Sequence, residues 1–289
     1  MADLKLAWDV SGSGDLRAAA AAAARHRFHG LTTSAAQLAV RELSATGRRE
    51  VRAILARHNL AGAALRCDAP ARGLTADADA DHLLSELESA MSAARDCGFA
   101  MVACDLGRLP RTEQAAPPPK PVAPEMLGSI ILPDPAEIAS LTAPPPAPLT
   151  PDERRHGEFA VEVLRAAGER ADRIGIPVAF SASLATTPDL AAILLAAACP
   201  LFGRELDPVA ALEEGPAGVV AQEPSVLHVR GRDAWRGAGG KTRPAPLGEG
   251  DVDWPELTRA LADAAFAGFV SLELAPSAVA PALERLRTM

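Results

Sequence analysis

At 289 residues the chain has room for one large α/β barrel or two medium domains, and 48% hydrophobic with 23% charged residues is ordinary globular composition. A formal net charge of -8, with 3% aromatic residues and no tyrosine, argues against a nucleic-acid or anionic-membrane surface. The core must be built mainly from Ala, Leu and Val.

In chain order, Leu4 to Val10 predicts a first strand. Asp15 then caps the alanine-rich helix Leu16 to Arg25. Phe28 to Thr32 is a second strand and Glu42 to His58 a helix with Val51, Ile54 and Leu55 on one face. Leu60 to Arg66 is a third strand candidate, and Asp79 to Cys97 an amphipathic helix aligning Leu83, Leu84, Leu87 and Met91. Phe99 to Cys104 is a fourth strand, with Asp105 at its C-terminal end.

The alternation then breaks. Leu109 to Pro151 holds roughly half of the 25 prolines, which fix φ and remove donors, so regular helix or sheet is excluded there. The apolar segment Gly128 to Leu132 suggests an excursion docked at that point; a domain linker is the competing reading.

Alternation resumes with a helix from Glu158 to Ile174, a strand Pro177 to Ser181 and a helix Pro188 to Ala198. A strand from Leu201 to Leu206 ends at Asp207, followed by at most a short helix over Val209 to Glu214. Val226 to Val229 is a strand carrying His228. A glycine-rich loop, the run LGEGDVDW (Leu247 to Trp254), a helix Pro255 to Ala267 and a strand Gly268 to Leu274 carrying Glu273 follow, and Ala280 to Arg287 is the last helix.

Eight strands alternating with helices imply parallel pairing with right-handed crossovers, and eight such units make a closed (β/α)8 TIM barrel over residues 1–289. An open doubly wound sheet is the alternative, but no GxGxxG follows the first strand. The four cysteines, Cys67, Cys97, Cys104 and Cys199, form no CxxC pair, so buried thiols in a reducing cytoplasm are expected. MADLKLAWDV lacks the order of a signal peptide, and Leu190 to Ala198 falls short of the roughly 20 residues that span a bilayer, so no membrane partner is expected.

In a barrel the working face lies at the C-terminal strand ends, where Asp9, Asp105, Ser181, Asp207, His228 and Glu273 fall. Two carboxylates and an imidazole from three successive strands suffice for a divalent metal. Asp207, before Pro208, also reads as a helix cap, and His228 as a core histidine. Glu273, a carboxylate in an apolar strand, has no inexpensive structural role. Glu205, next to Arg204, reads as a solvated or ion-paired edge residue.

The segment His228-Val229-Arg230, then LGEGDVDW, then FAGFVSLEL ending near Glu273 resembles the xylose-isomerase-like superfamily of TIM barrels, which holds sugar-phosphate isomerases and epimerases, hydroxypyruvate isomerases and endonuclease IV. GIPVAFS is similar to the family's fifth strand and REL-Asp207-Pro208 to its sixth; the first hundred residues match only in rhythm. The resemblance implies a divalent metal (Mn, Mg or Zn) on Asp207, His228 and Glu273; strand order alone adds Asp105, at the end of strand four, as a further candidate. The resemblance also implies Glu273 as catalytic base, Arg230 in place of the family's lysine, a sugar or sugar-phosphate ligand, and association into homo-oligomers. The family's fifth-strand glutamate is Ser181 here and its sixth-strand histidine is Ala210, and a hydroxyl does not replace a carboxylate in proton transfer. Two function classes follow, a metal-assisted isomerase or epimerase and a barrel retained for binding. An endonuclease-like reading lacks the ligands for three zinc ions and carries the wrong charge.

Overall fold

The computed structural model describes residues 4–12, 14–68, 74, 79–112, 148–182, 187–212, 214–237 and 241–288. Most of the proline-rich stretch, 113–147, lies outside them, so the docked-excursion and linker readings both fall outside the described residues.

The helices start where side chains can satisfy their first N–H groups. Asp15 accepts from Arg17 and Ala18 at the start of α1 (Leu16–Arg25). Ser44 caps α2 (Ala45–Arg57) and Asp79 caps α3 (Ala80–Cys97), where Leu83, Leu84, Leu87 and Met91 are buried as their spacing predicts. Thr150 and Glu153 form a reciprocal capping box, with Pro151 opening the helix, so α4 (Pro151–Ile174) begins seven residues before the expected Glu158.

The barrel strands are β1 (Lys5–Asp9), β2 (Gly30–Ser34), β3 (Ala61–Asp68), β4 (Val102–Asp105), β5 (Val178–Ser181), β6 (Phe202–Leu206), β7 (Val226–Gly231) and β10 (Phe269–Leu272). They pair in parallel and in sequence order, and β1 closes onto β10. The chain is therefore the closed (β/α)8 barrel that the alternation predicts, rather than an open sheet. Between β5 and β6 runs α5 (Thr187–Ala197). The β6–β7 connection has its helix at α6 (Pro216–Val220) rather than over 209–214, because Gly215 and Pro216 set the start there. The glycine-rich loop after β7 contains a hairpin that its sequence conceals, β8 (Asp233–Arg236) antiparallel to β9 (Thr242–Ala245). Helix α7 (Trp254–Asp263) leads into β10, and a 3-10 turn (Pro276–Ala278) leads into α8 (Val279–Thr288).

Outward strand residues such as Leu65, Cys104, Phe180 and Val229 pack against the helices in one continuous core. The barrel's lower interior is filled by small side chains around two larger ones. Ala7 and Ala63 lie against Phe269, and Ala64, Ala103 and Ala179 against Met101.

Two register shifts decide which side chains face inward. Between β2 and β3 the pairing moves from Leu31↔Gly62 to Thr32↔Ala64, and between β6 and β7 from Arg204↔Val226 to Glu205↔His228. Each adds one residue, Ala63 or Leu227, and so reverses the inward–outward alternation beyond it. As a result Arg66 and His228 point into the barrel instead of toward the helices.

Candidate active site at the barrel mouth

Above the small-residue layer lies a buried polar network. Arg66 crosses from β3 to β6, its Nη1 donating to Glu205 Oε1 at 2.8 Å and its Nη2 to Oε2 at 3.4 Å. The Asp9 carboxylate stands 3.9 Å from the same Nη1. Glu205 also meets His228 Nδ1 at 2.8 Å and accepts from Ser181 Oγ at 2.9 Å. His228 Nε2 lies 2.7 Å from Ser271 Oγ, which lies 2.7 Å from Thr32 Oγ1. The Glu205 carboxylate only accepts, so Nδ1 carries the proton, and in the neutral ring Nε2 accepts from Ser271.

Glu205 is thus a correction to the edge reading, since its side chain is 0% exposed. Its inward direction comes from strand parity and its solvation from Arg66, which is remote in sequence. Burial by itself would push its carboxyl pKa up. The Arg66 guanidinium, with the His228 and Ser181 hydrogen bonds, outweighs burial and holds the group well below the usual carboxylate range. Burial likewise works against the charge of Arg66, but Glu205, Asp9 and Glu273 raise its pKa above the ordinary value.

The next layer is the mouth. Arg230 Nε binds Glu273 Oε1, and these side chains are 25% and 27% exposed, so both face an open region. Arg232 grips Asp207 with Nε on Oδ1 at 2.9 Å and Nη2 on Oδ2. Burial opposes the charge of Arg232, while the hydrogen bond and charge of Asp207 raise its pKa. Asp207 Oδ1 also accepts from the N–H of Val209 at 3.0 Å and of Ala210 at 3.4 Å, so it caps the following turn as well. Asp105 ends β4, and its Oδ1 accepts from Gly107 N at 2.8 Å.

Two cavities flank these pairs. One of about 130 Å³ is lined by Asp105, Ser181, Asp207, Ala210, Arg230 and Arg232, among others. The other, of about 540 Å³, lies between the β8–β9 hairpin and the C-terminal helix, with Glu273 and Arg232 on its wall. Only the second falls in the range of about 300–1,000 Å³ usual for small-molecule sites.

Asp233 orders this region and went unnoticed in the sequence. Buried at the start of β8, it accepts from the N–H groups of Ala234 (2.8 Å), Gly248 (2.8 Å), Gly250 (3.2 Å) and Val252 (3.3 Å) and from Trp254 Nε1 (3.1 Å). The LGEGDVDW run is therefore a loop folded around one carboxylate. A Cβ on Gly250 would lie 2.0 Å from Asp233 Oδ1, and Gly248 has φ +81°, so both glycines are required. The available signal was the loop's Gly-x-Gly spacing, which asks for a central acceptor.

The sequence-derived metal set is not brought together. His228 lies in the layer below Asp207 and Glu273, fully buried, with both ring nitrogens engaged. The inward residue of β7 that contacts Glu273 is Arg230. Among the described residues no group of three or more His, Cys, Asp or Glu side chains is placed to hold a metal ion. Asp207 gives both oxygens to Arg232. The donors present therefore do not fit a divalent cation, which takes at least three of them on one point.

Known structures share this architecture at low identity. The probable 3-DHS dehydratase AsbF of Bacillus anthracis, involved in petrobactin synthesis, matches with TM-score 0.71 and 15% identity, covering 98% of this chain and 99% of that one. The 3-keto-D-glucoside 4-epimerase YcjR from E. coli matches with TM-score 0.67 and 14% identity over 99% and 100%. The IolI protein, in a structure with a bound zinc atom, matches with TM-score 0.66 and 13% identity over 98% and 96%. No curated protein matches the chain by sequence. No helix among the described residues is long and apolar enough to cross a membrane. A family profile described as the xylose isomerase-like TIM barrel matches residues 19–289, nearly the whole barrel whose mouth is described above, and the chain belongs to that family.

Proposed function

We propose that the chain binds a small sugar, sugar phosphate or related hydroxy-carbonyl compound at the mouth of its barrel, as a divergent member of the isomerase and epimerase type. The observation that carries this reading is the placement of the Arg230–Glu273 and Arg232–Asp207 pairs on the rim of the two cavities. Carboxylate and guanidinium groups side by side present the acceptors and donors that a polyhydroxylated ligand needs. The 3-keto-D-glucoside epimerase among the structural relatives supports the same ligand class.

In this reading Glu273 takes a proton from the carbon beside the carbonyl, Arg230 holds Glu273 in place, and Arg232 binds the oxygen that gains charge. One carboxylate serves a proton shift between adjacent carbons, because the same group returns the proton. Inversion at one carbon needs a second group on the opposite face. Ser181, the residue that the resemblance aligns with the family's fifth-strand glutamate, lines only the smaller cavity and has its hydroxyl committed to Glu205. That commitment, with Ala210 beside the smaller cavity, favours a second reading in which the barrel binds its ligand without turning it over.

Incubation of a panel of ketoses, sugar phosphates and hydroxy-carbonyl acids in deuterated water decides between them. The isomerase reading expects enzyme-dependent exchange at carbon, falling by about 10² or more in Glu273→Gln, the usual contribution of a positioned base. Ligand-dependent rises in Tm with no exchange on any compound support the binding-only reading. Absence of both exchange and any Tm shift, for every compound, would refute the proposal.

A further inference from the structure

We infer that this barrel carries its counter-cations within the chain: the guanidinium groups of Arg66, Arg230 and Arg232 occupy the carboxylates that a divalent metal would need, and the mouth binds its ligand without metal. The inference rests on the ligand-binding reading above for its second half only.

Three strand positions supply the cations. Arg66 comes from β3, Arg230 from β7 and Arg232 from just beyond the end of β7; Arg66 and Arg232 meet Glu205 and Asp207 at the end of β6, and Arg230 meets Glu273 after β10. Both oxygens of Glu205 are used, Oε1 by Arg66 and His228 and Oε2 by Arg66 and Ser181. Both oxygens of Asp207 are used by Arg232, and its Oδ1 also holds the turn at Val209 and Ala210. His228 has no nitrogen to offer, because Glu205 and Ser271 take both. A metal entering here would have to break at least two such sets at once, one of them with Glu205 at 0% and Arg66 at 8% side-chain exposure.

Arginine suits this exchange. Its planar fork satisfies a carboxylate through two parallel bonds, it keeps its charge at every pH the fold survives, and it is weakly enough hydrated to be buried. A guanidinium also keeps donors for a ligand after pairing, whereas a metal offers open coordination positions. Removal of the cation is thus compensated in charge, but the Lewis acidity is not replaced. That agrees with a serine, Ser181, at the position where the resemblance puts the second proton-transfer group.

The test uses the full-length chain purified from metal-replete medium. Elemental analysis and Tm are measured with Mg, Mn and Zn and with EDTA. Substoichiometric metal and an unchanged Tm are expected. Stoichiometric metal that EDTA removes with a fall in Tm, and that Glu273→Gln or Asp207→Asn fails to retain, would overturn the inference. A double variant, Arg230→Ala with Arg232→Ala, leaves the buried Arg66–Glu205 pair intact. It leaves Asp207 and Glu273 without their guanidinium partners at a mouth that Asp105 also lines, three carboxylates in all, and is expected to gain a Tm rise that grows with Mn or Zn concentration; indifference to metal would overturn the inference. Ligand-induced Tm shifts are then measured in EDTA. A shift in EDTA supports metal-free binding, while a shift that appears only with metal overturns it and leaves the ligand site standing. No shift under either condition refutes the ligand reading, and the metal measurements still answer for the arginines.

Discussion

Glu205 is the residue on which the barrel interior depends. Its partners Arg66, His228 and Ser181 come from three other strands, and none is a sequence neighbour. Breaking a buried pair from one side leaves the other charge uncompensated, at a cost of about 3–5 kcal/mol. Glu205→Gln should therefore lower the unfolding free energy at pH 7 by that order, read by urea denaturation. The pH dependence has a definite sign. The group ionises near pH 4.3 or so when unfolded, and in the fold its pKa lies lower, held there against burial chiefly by Arg66. Its contribution is complete above that unfolded value and is lost as pH falls through it toward the folded one. The gap between wild type and Glu205→Gln should narrow below about pH 4; a constant gap down to acid unfolding would show that Glu205 is not ionised in the fold.

At the scale of elements, two connections are held by one charged side chain each. Arg204, only 2% exposed, donates to Pro224 O at 2.6 Å, Val219 O at 2.8 Å and Gln222 O, tying α6 and the approach to β7 onto β6. Burial lowers its pKa, against the opposing charges of Glu223 and Glu214. Arg204→Met strands the buried Val219 acceptor, at about 1–3 kcal/mol, and loses the part-buried bonds to Pro224 O and Gln222 O. Arg204→Lys should recover only part of the loss because one ammonium cannot match the fork. Denaturation midpoints of the two variants check this order. The loop after β9 is the converse, one acceptor serving many donors. Gly250→Ala would press a methyl onto Asp233 Oδ1 and lie 2.6 Å from Ala234 O. The expected destabilisation is about 1–3 kcal/mol, with lost ordering of the Trp254 indole visible in its near-UV signal.

For the whole molecule, closure of the barrel sets how much side-chain volume the interior can hold. Ala64, Ala103 and Ala179 form a buried cluster with Met101, separate from the core that packs against the helices. Ala179→Leu should cost about 1–3 kcal/mol through overpacking, seen as a lower Tm, whereas the outward neighbour Phe180 belongs to a different core and should not compensate.

The strand–helix order, the caps at Asp15, Asp79 and Thr150 and the buried faces of the helices were all determined by local sequence, because they depend on residues within a turn or two of one another. The mouth residues Asp207 and Glu273 were legible as polar groups at the ends of apolar strands, and Arg230 through the family resemblance. Tertiary structure decided which charges meet. Arg66 and Glu205 stand 139 residues apart, and only closure of the barrel brings β3 opposite β6. The extra residues Ala63 and Leu227 decided which faces they meet on, because a slip of one residue reverses every later side chain of a strand. A local pattern cannot show such a slip, and so it cannot tell an arginine that faces solvent from one that neutralises the centre of the barrel.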